Sequence, residues 1–387
     1  MILVLGRKQV VRVDGARFNM MLRLLRFSPW VGLVVACLVG CRNAVDSGGE
    51  YPIGAELAQV PAGLKKQILH VLEERFGSLD APRFELPDPE HAAELGWKER
   101  VAADRLTHGM SVYRRYCAGC HGVAGDGAGP ASPYLLPKPR DYRRGVFKFT
   151  STPYGSKPRR QDLIRTVRYG AKGTAMPDFK FLPAEDLQPL VDYVIMLSIR
   201  GELESLLARV AADYGEEDTI EPEVIWEQAD LLRAAWDNAA LQLVLPVTPR
   251  PAYTDESIAL GRQAFLENEC FKCHGRDGRG QTAWLDPRFV RRQMELPESQ
   301  REPLNYDAWG QIAPAADLTA GMLHGGRRPI DVYRRIYSGI NGTPMPGFAQ
   351  KFADQPETIW HLVHFVLSLT EGRTFSEATS DEPQAGG

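Results

Sequence analysis

"YRRYCAGCHGVAGDGAG" occupies residues 113–129 and "FLENECFKCHGRDGRG" residues 265–280. Each stretch holds two cysteines three positions apart, Cys117 and Cys120 in the first and Cys270 and Cys273 in the second. A histidine follows directly in both, His121 and His274. Three chemistries use such a pair. A zinc site needs a second pair of ligands nearby within the same copy, and neither copy has one. A thioredoxin-like redox pair sits in a βαβ pattern and has no use for the histidine. Covalent haem attachment uses all three residues: two thiols at this spacing reach the two vinyl groups of one porphyrin, and the adjoining imidazole lies under the iron. The motif therefore predicts two covalently bound haem c groups, on Cys117, Cys120 and His121 and on Cys270, Cys273 and His274.

A low-spin haem iron takes a sixth ligand, and methionine sulfur raises its reduction potential relative to a second histidine. "GTAMPDF" (173–179) and "GTPMPGF" (342–348) each place a methionine in a Gly-Thr loop with proline on its C-terminal side. Methionine is an adaptable gap-filler, whereas proline fixes φ and removes a donor. A flexible side chain on a stiffened loop implies a sulfur aimed at a target. Met176 and Met345 are the expected axial ligands, 55 residues after His121 and 71 after His274. The methionines that do not recur, Met110, Met196, Met294 and Met322, read as packing.

The two stretches belong to a longer internal repeat. "DYRRG" (141–145) corresponds to "DLTAG" (317–321), "DLIRTVRYGAKGTAMPDF" (162–179) to "DVYRRIYSGINGTPMPGF" (331–348), and "LVDYV" (190–194) to "LVHFV" (362–366). Four blocks recur in one order, so a domain is duplicated. The second copy carries an insertion at about 281–316 that the first lacks.

With a helix running into CxxCH, a methionine loop and a closing helix, each copy resembles a class I cytochrome c domain. The resemblance covers 101–200 and 251–372 and implies an all-α fold. It also implies that a small residue and an aromatic on the first helix pack against an aromatic on the last. The matching positions are Gly109 and Tyr113 with Tyr193, and Gly261 and Phe265 with Phe365. In that family arginines often support the haem edge. Arg140, Arg143, Arg327 and Arg328 are candidates, with a solvated surface as the default expectation. His361 and His364 on the closing helix, and His324, read as surface or packing residues; His364 aligns with Asp192 and His324 with Lys148.

The remainder of the 387 residues organises around this pair. "MLRLLRFSPWVGLVVACLVGC" (21–41) has a basic start and an apolar core too short for the ~20 residues a membrane-crossing helix needs. Its end, Leu38-Val39-Gly40-Cys41, resembles a bacterial lipobox, which implies lipidation of Cys41 and a membrane anchor. Arg42 in place of an aspartate points toward the outer membrane. Residues 1–41 are thus read as a signal region and 42–100 as a tether and helix. Residues 201–250 are an acidic helical linker, in which Trp226 and Trp236 are expected to pack between domains, and 373–387 are a polar tail.

The overall net charge of −3 points to no particular partner, and no feature suggests nucleic acid. Its distribution is uneven: residues 101–200 carry 16 Lys/Arg against 8 Asp/Glu, and residues 201–260 carry 3 against 13. A basic haem domain would steer toward acidic redox partners, unless the acidic linker folds against it.

Two six-coordinate irons leave no open site for substrate. The expected function is therefore single-electron carriage between redox protein partners on the periplasmic side of a membrane, with no enzymatic reaction. A cytochrome subunit of a larger dehydrogenase or oxidase complex fits the same pattern. A di-haem peroxidase also carries two tandem CxxCH motifs but needs one haem that opens to peroxide. A haem-based sensor would need an output domain, which the sequence does not reveal.

Overall fold

The helix that ends in Cys117 and the helix that begins at Ala184 form the frame of the first domain. A computed structural model describes residues 49–85, 102–301 and 305–375. Cys41 with its apolar run, residues 42–48 and 86–100 of the proposed tether and helix, and most of the polar tail lie outside these residues. The described residues contain helices, short 3₁₀ turns and two isolated bridges, and no strand. None of their helices is long and apolar enough to cross a membrane.

Helices α1 (Ala55–Ala58) and α2 (Ala62–Phe76) come first. The first domain follows with α3 (Ala103–Tyr116), the one-turn α4 (Ala118–His121), α5 (Arg160–Tyr169) and α6 (Ala184–Val210). Helix α7 (Pro222–Leu241) leads to an extended segment and the second domain. There α8 (Asp255–Glu267) and α9 (Phe271–His274) match α3 and α4, and α10 (Pro287–Glu295) lies in the insertion. Helices α11 (Pro329–Ser338) and α12 (Thr358–Thr370) match α5 and α6.

Each domain is held by one close helix crossing. A Cβ added to Gly109 of α3 would lie 2.1 Å from the Pro189 carbonyl oxygen of α6, and one at Gly261 of α8 would lie 2.0 Å from that of His361 on α12. Only glycine lets the backbones approach this far, and the close approach brings the flanking aromatics together. Tyr113 and Tyr193 meet with ring centroids 5.4 Å apart, Phe265 and Phe365 at 5.2 Å, as the resemblance implied.

Helix α6 is longer than its counterpart and buried on nearly every side, its buried charges Asp192, Arg200, Glu202 and Glu204 all paired. Its extension past Ile199 is covered by α2, through Leu64, Ile68, Leu72 and Phe76, and by α7, through Ile225, Leu232 and Trp236, all in one core. Gln67 on α2 clamps the approach to α7: its Nε2 donates to Ile220 O at 2.7 Å and its Oε1 accepts from Ile220 N at 2.9 Å. The described part of 42–100 is therefore a wall of the first domain.

The linker tryptophans are not interdomain packing. Trp236 points into the first domain, its Nε1 donating to Glu202 Oε1 at 2.8 Å and its ring edge-on to Phe147. Trp226 is partly exposed under the Arg75 guanidinium, 3.8 Å from its ring centroid. The sequence could not separate the two readings because helical spacing fixes a face without saying which domain covers it.

The domains instead meet through polar contacts on both sides of the extended segment. Val244 N donates to Ser151 O at 2.8 Å, and Val244 O accepts from Arg334 Nε at 3.1 Å. Arg165 of α5 pairs with Asp331 of α11, and buried Asn341 accepts from Gly155 N at 2.8 Å. The basic charge of the first domain is met from two directions. Asp307 and Asp331 of the second domain take Arg140, Lys148 and Arg165, while Glu202 takes Lys157. Helix α7 contributes less, since its Arg233 pairs with its own Asp230 and Asp237.

Candidate haem sites

Helix α3 stops at Cys117, whose N–H donates to Tyr113 O at 2.8 Å, and the chain then turns once through α4. His121 N donates to Cys117 O at 2.9 Å and His274 N to Cys270 O at 3.0 Å, so each motif is a single helical turn. Gly122 and Gly275 close the two turns with φ of +74° and +71°, a conformation that favours glycine. The turn holds both thiols, three positions apart, and the imidazole directly after the second within one short helix and its N-cap. All four thiols are free, Cys273 exposed and the other three half-buried.

Both imidazoles are oriented the same way. His121 Nδ1 lies 3.1 Å from Arg140 O, and His274 Nδ1 lies 3.2 Å from Ala316 O. A carbonyl can only accept, so Nδ1 carries the proton and Nε2 has its lone pair free. Neither Nε2 has a hydrogen bond among the described residues. Burial lowers the pKa of both histidines, opposed by the backbone bond, and keeps the rings neutral as a metal requires. Tyr142 stacks on His121 at 4.7 Å between centroids, and Leu318 stands at the matching position. Burial raises the Cys117 thiol to about 12, with Cys120 adding to the rise, and the Cys270 thiol to about 11.

The two methionine loops share one hydrogen-bond pattern. In the first, Thr174 Oγ1 donates to Ala171 O at 2.7 Å and accepts from Met176 N at 3.2 Å, and Ala171 N returns to Met176 O at 3.3 Å. In the second, Thr343 Oγ1 donates to Ile340 O at 2.8 Å and accepts from Met345 N at 3.3 Å, and Ile340 N returns to Met345 O at 3.2 Å. Gly170 and Gly339 end α5 and α11 with φ of +67° and +76°. A Cβ at either would lie within 2.8 Å of the methionine carbonyl or the following proline, so the loops fold tightly onto these glycines. The threonines escaped assignment from sequence, although their recurrence at the same offset was the signal available.

The loops return toward the cysteine turns. Phe179, three residues past Met176, sits edge-on to Tyr116 beside Cys117 at 6.3 Å. Met345 and Cys270 both line the second core. Free paired thiols, an imidazole fixed to expose Nε2, and a rigid thioether loop fit a covalently held haem in both copies.

Of the four candidate arginines, Arg140 and Arg143 are drawn into the protein, while Arg327 and Arg328 stay exposed, as the solvated default expected. Arg140 is mostly buried, with 20% of its side chain exposed, and faces Asp307. Arg143 forms a two-pronged pair with Asp141 at 3.0 Å, Arg328 pairs with Asp331, and Arg327 reaches Gly321 O. His324 packs 3.2 Å from where a Cβ at Gly173 would stand, against the first methionine loop.

Geometry of this kind defines a tandem c-type cytochrome. Comparison with known families agrees: residues 104–194 match the model for cytochrome c oxidase, cbb3-type, subunit III, and residues 258–370 match the model for cytochrome c. The chain belongs to the c-type cytochromes, with two cytochrome c domains, two covalently bound haem c groups and an electron-transfer function. No curated protein sequence matches it. Among solved structures, a chain of the Kuenenia stuttgartiensis reducing HAO-like protein complex is similar, with 31% identity over 68% of this chain and 95% of that one and a TM-score of 0.49.

Proposed function

We propose that the chain is a membrane-tethered electron carrier whose haems are both His/Met ligated. His121 and Met176 would ligate the iron of the first haem, which Cys117 and Cys120 would hold covalently. His274 and Met345 would serve the second, held through Cys270 and Cys273. When bound, each haem supplies one-electron ferric/ferrous chemistry. The protein contributes an oriented imidazole, a braced thioether loop and a helical frame, and none of these residues need move a proton. Domains 101–200 and 251–372 carry the haems, with 201–250 between them. A lipid on Cys41 holds the chain to a membrane, the outer membrane in this reading, where it exchanges electrons with periplasmic redox proteins.

The observation that carries the reading is the repetition of the complete threonine-braced loop, which supplies a sixth ligand twice. A peroxidase needs one haem without that ligand. Carbon monoxide titration of the reduced protein tests this. Wild-type protein should bind it poorly at both haems. Met176→Ala should open the first haem alone and Met345→Ala the second alone, each with a lowered potential because sulfur favours the ferrous state. A wild-type haem that binds carbon monoxide readily, with rapid turnover of hydrogen peroxide, would transfer the assignment to the enzyme. The anchor has its own check: mass spectrometry should find the mature N-terminus at an acylated Cys41, since multiple acyl chains give stable anchoring. A mature chain beginning elsewhere removes the anchor from the reading.

A further inference from the structure

The carbonyl that receives the proximal histidine is where the two copies diverge. In the second copy it belongs to Ala316, at the end of the 281–316 insertion, whose side chain reaches nothing beyond Cβ. In the first copy it belongs to Arg140, and the same insertion, reaching across from the other domain, grips that residue.

The grip has three parts. Arg140 Nη1 lies 3.4 Å from Asp307 Oδ2, and its guanidinium carbon sits 3.6 Å from the centroid of the Trp309 ring. Trp309 Nε1 donates to Asp141 O at 3.2 Å, so the residue after Arg140 is held through its backbone. The grip is itself braced. Asp307 has 4% of its side chain exposed; its Oδ1 accepts from Trp309 N at 3.1 Å and Gln311 N at 3.0 Å, and its Oδ2 accepts from Lys148 at 3.0 Å. A mostly buried guanidinium paired with a buried carboxylate and laid over a tryptophan face has little freedom to swing.

A hydrogen bond from the non-ligating nitrogen of a metal-bound histidine sets ring orientation and ligand basicity, so groups that hold its acceptor tune the metal. We propose that Asp307 and Trp309 are positioning residues for the first haem: from the second domain they hold Arg140, keep its carbonyl on His121 Nδ1–H, and thereby set the donor strength of the first proximal ligand. The inference rests on the reading of His121 as that ligand. Domain docking then fixes the first potential, while the second depends on Ala316, a backbone group of its own domain.

The experiment uses the full holoprotein with Trp309→Ala, Trp309→Phe and Asp307→Asn. It reads each haem's potential by spectroelectrochemical titration and the His121 Nδ1–H resonance and its solvent exchange by NMR. Trp309→Ala changes no charge. It should weaken the hydrogen bond, speed exchange of that proton and raise the first potential, shifting the ferric/ferrous ratio at a fixed potential about threefold toward ferrous. That is roughly 30 mV at 59 mV per tenfold for one electron. The second haem should not move. Trp309→Phe keeps a ring and should give a smaller shift of the same sign. Asp307→Asn should give a larger one, because it also removes an anion that favours ferric iron. Arg165→Gln breaks an interdomain ion pair elsewhere and should move neither haem.

The proposal is overturned if Trp309→Ala leaves the first potential and the Nδ1–H exchange unchanged while Asp307→Asn still shifts the potential, since the effect is then charge alone. It is also overturned if both haems move together, or if Arg165→Gln matches Trp309→Ala, since the effect is then general loosening. Failure of the ligand reading would appear separately, as a wild-type His121 ring without the shifted resonances of an iron-bound imidazole.

Discussion

The two domains repeat one proposed haem site with the same residue types and then enclose it differently. Their imidazole bonds and threonine-braced methionine loops share one pattern. The cysteine turns differ in their entry, where Cys117 N donates to Tyr113 O but Cys270 N to Phe265 O after a positive-φ Glu269. Around the first, α2 and α7 thicken the wall of an extended α6, Tyr142 stacks on His121, and His121 is 9% exposed. Around the second there is no such outer layer among the described residues, Leu318 replaces the tyrosine, and Cys273 is exposed. What the second domain has instead is the insertion, and it spends part of that on the first domain through Asp307 and Trp309. Duplication thus preserved the site and left the surroundings free to specialise, one copy walled in and the other reaching out.

The sharpest way to break the equivalence is at the shared helix crossing. Gly109→Ala and Gly261→Ala each drive a methyl into a backbone carbonyl that cannot rotate away. Overpacking normally costs about 1–3 kcal/mol, and the upper end or beyond is expected where backbone must give. Denaturation should show about 3 kcal/mol or more lost in each case. The loss should be confined to the haem of the mutated domain, followed by its loss of low-spin absorbance. Equal, small losses would mean that the crossings are looser than their geometry.

One position sharpens the comparison further, because Asp192 of the first domain and His364 of the second occupy matching places on α6 and α12. Asp192, 4% exposed, accepts from Arg105 Nε at 2.9 Å and from Arg160 Nε at 2.7 Å. Asp192→Asn leaves two partly exposed guanidinium groups without their anion and should cost about 2–4 kcal/mol, somewhat below a fully buried pair.

His364, 0% exposed, lies 2.7 Å from Ser257 Oγ, which also contacts His361; Arg250 Nε donates to its Nε2 at 3.2 Å, and Tyr253 stands edge-on. Burial, then Arg250, then His361 depress its pKa to about 4. The folded protein therefore holds this ring neutral while the unfolded chain protonates it near 6.5. Between those values the unfolded state binds more protons, so stability is full above about pH 6.5 and falls as pH drops toward 4. The expected loss is about 1–3 kcal/mol between pH 7.5 and 4.5, measured as a lower denaturation midpoint of the second domain. His364→Gln should flatten that slope and leave the first domain's pH response unchanged. A slope that survives the substitution would assign it to other groups.

Much of this was legible from residue order. The cysteine turns, the histidines, the two methionine loops and the glycine–aromatic crossings are local or periodic patterns, and the repeat doubled every signal. The environment of Arg140 was not legible, and a solvated surface was the reasonable default, because its partners lie about 170 residues away in a segment the first copy lacks. Trp236 was misread for a related reason: periodicity gives a helix its buried face, while the identity of the covering domain is a long-range fact. The charge asymmetry admitted two readings, and its resolution by Asp307 and Asp331 depended on how the domains dock.

By itself the sequence determined the covalent chemistry, since a haem attachment turn is complete within five residues, and it was enough to propose a methionine loop of seven residues as the ligand loop. It also determined the fold of each copy, since a helix crossing that tolerates only glycine and demands aromatics writes itself into both strands of a duplication. Only the tertiary structure decided which copy is walled in, which carbonyl each imidazole uses, and that Arg140 is held by the neighbouring domain. Those outcomes depend on contacts between residues far apart in the chain, where burial and charge pairing are set by docking and leave no local pattern to read.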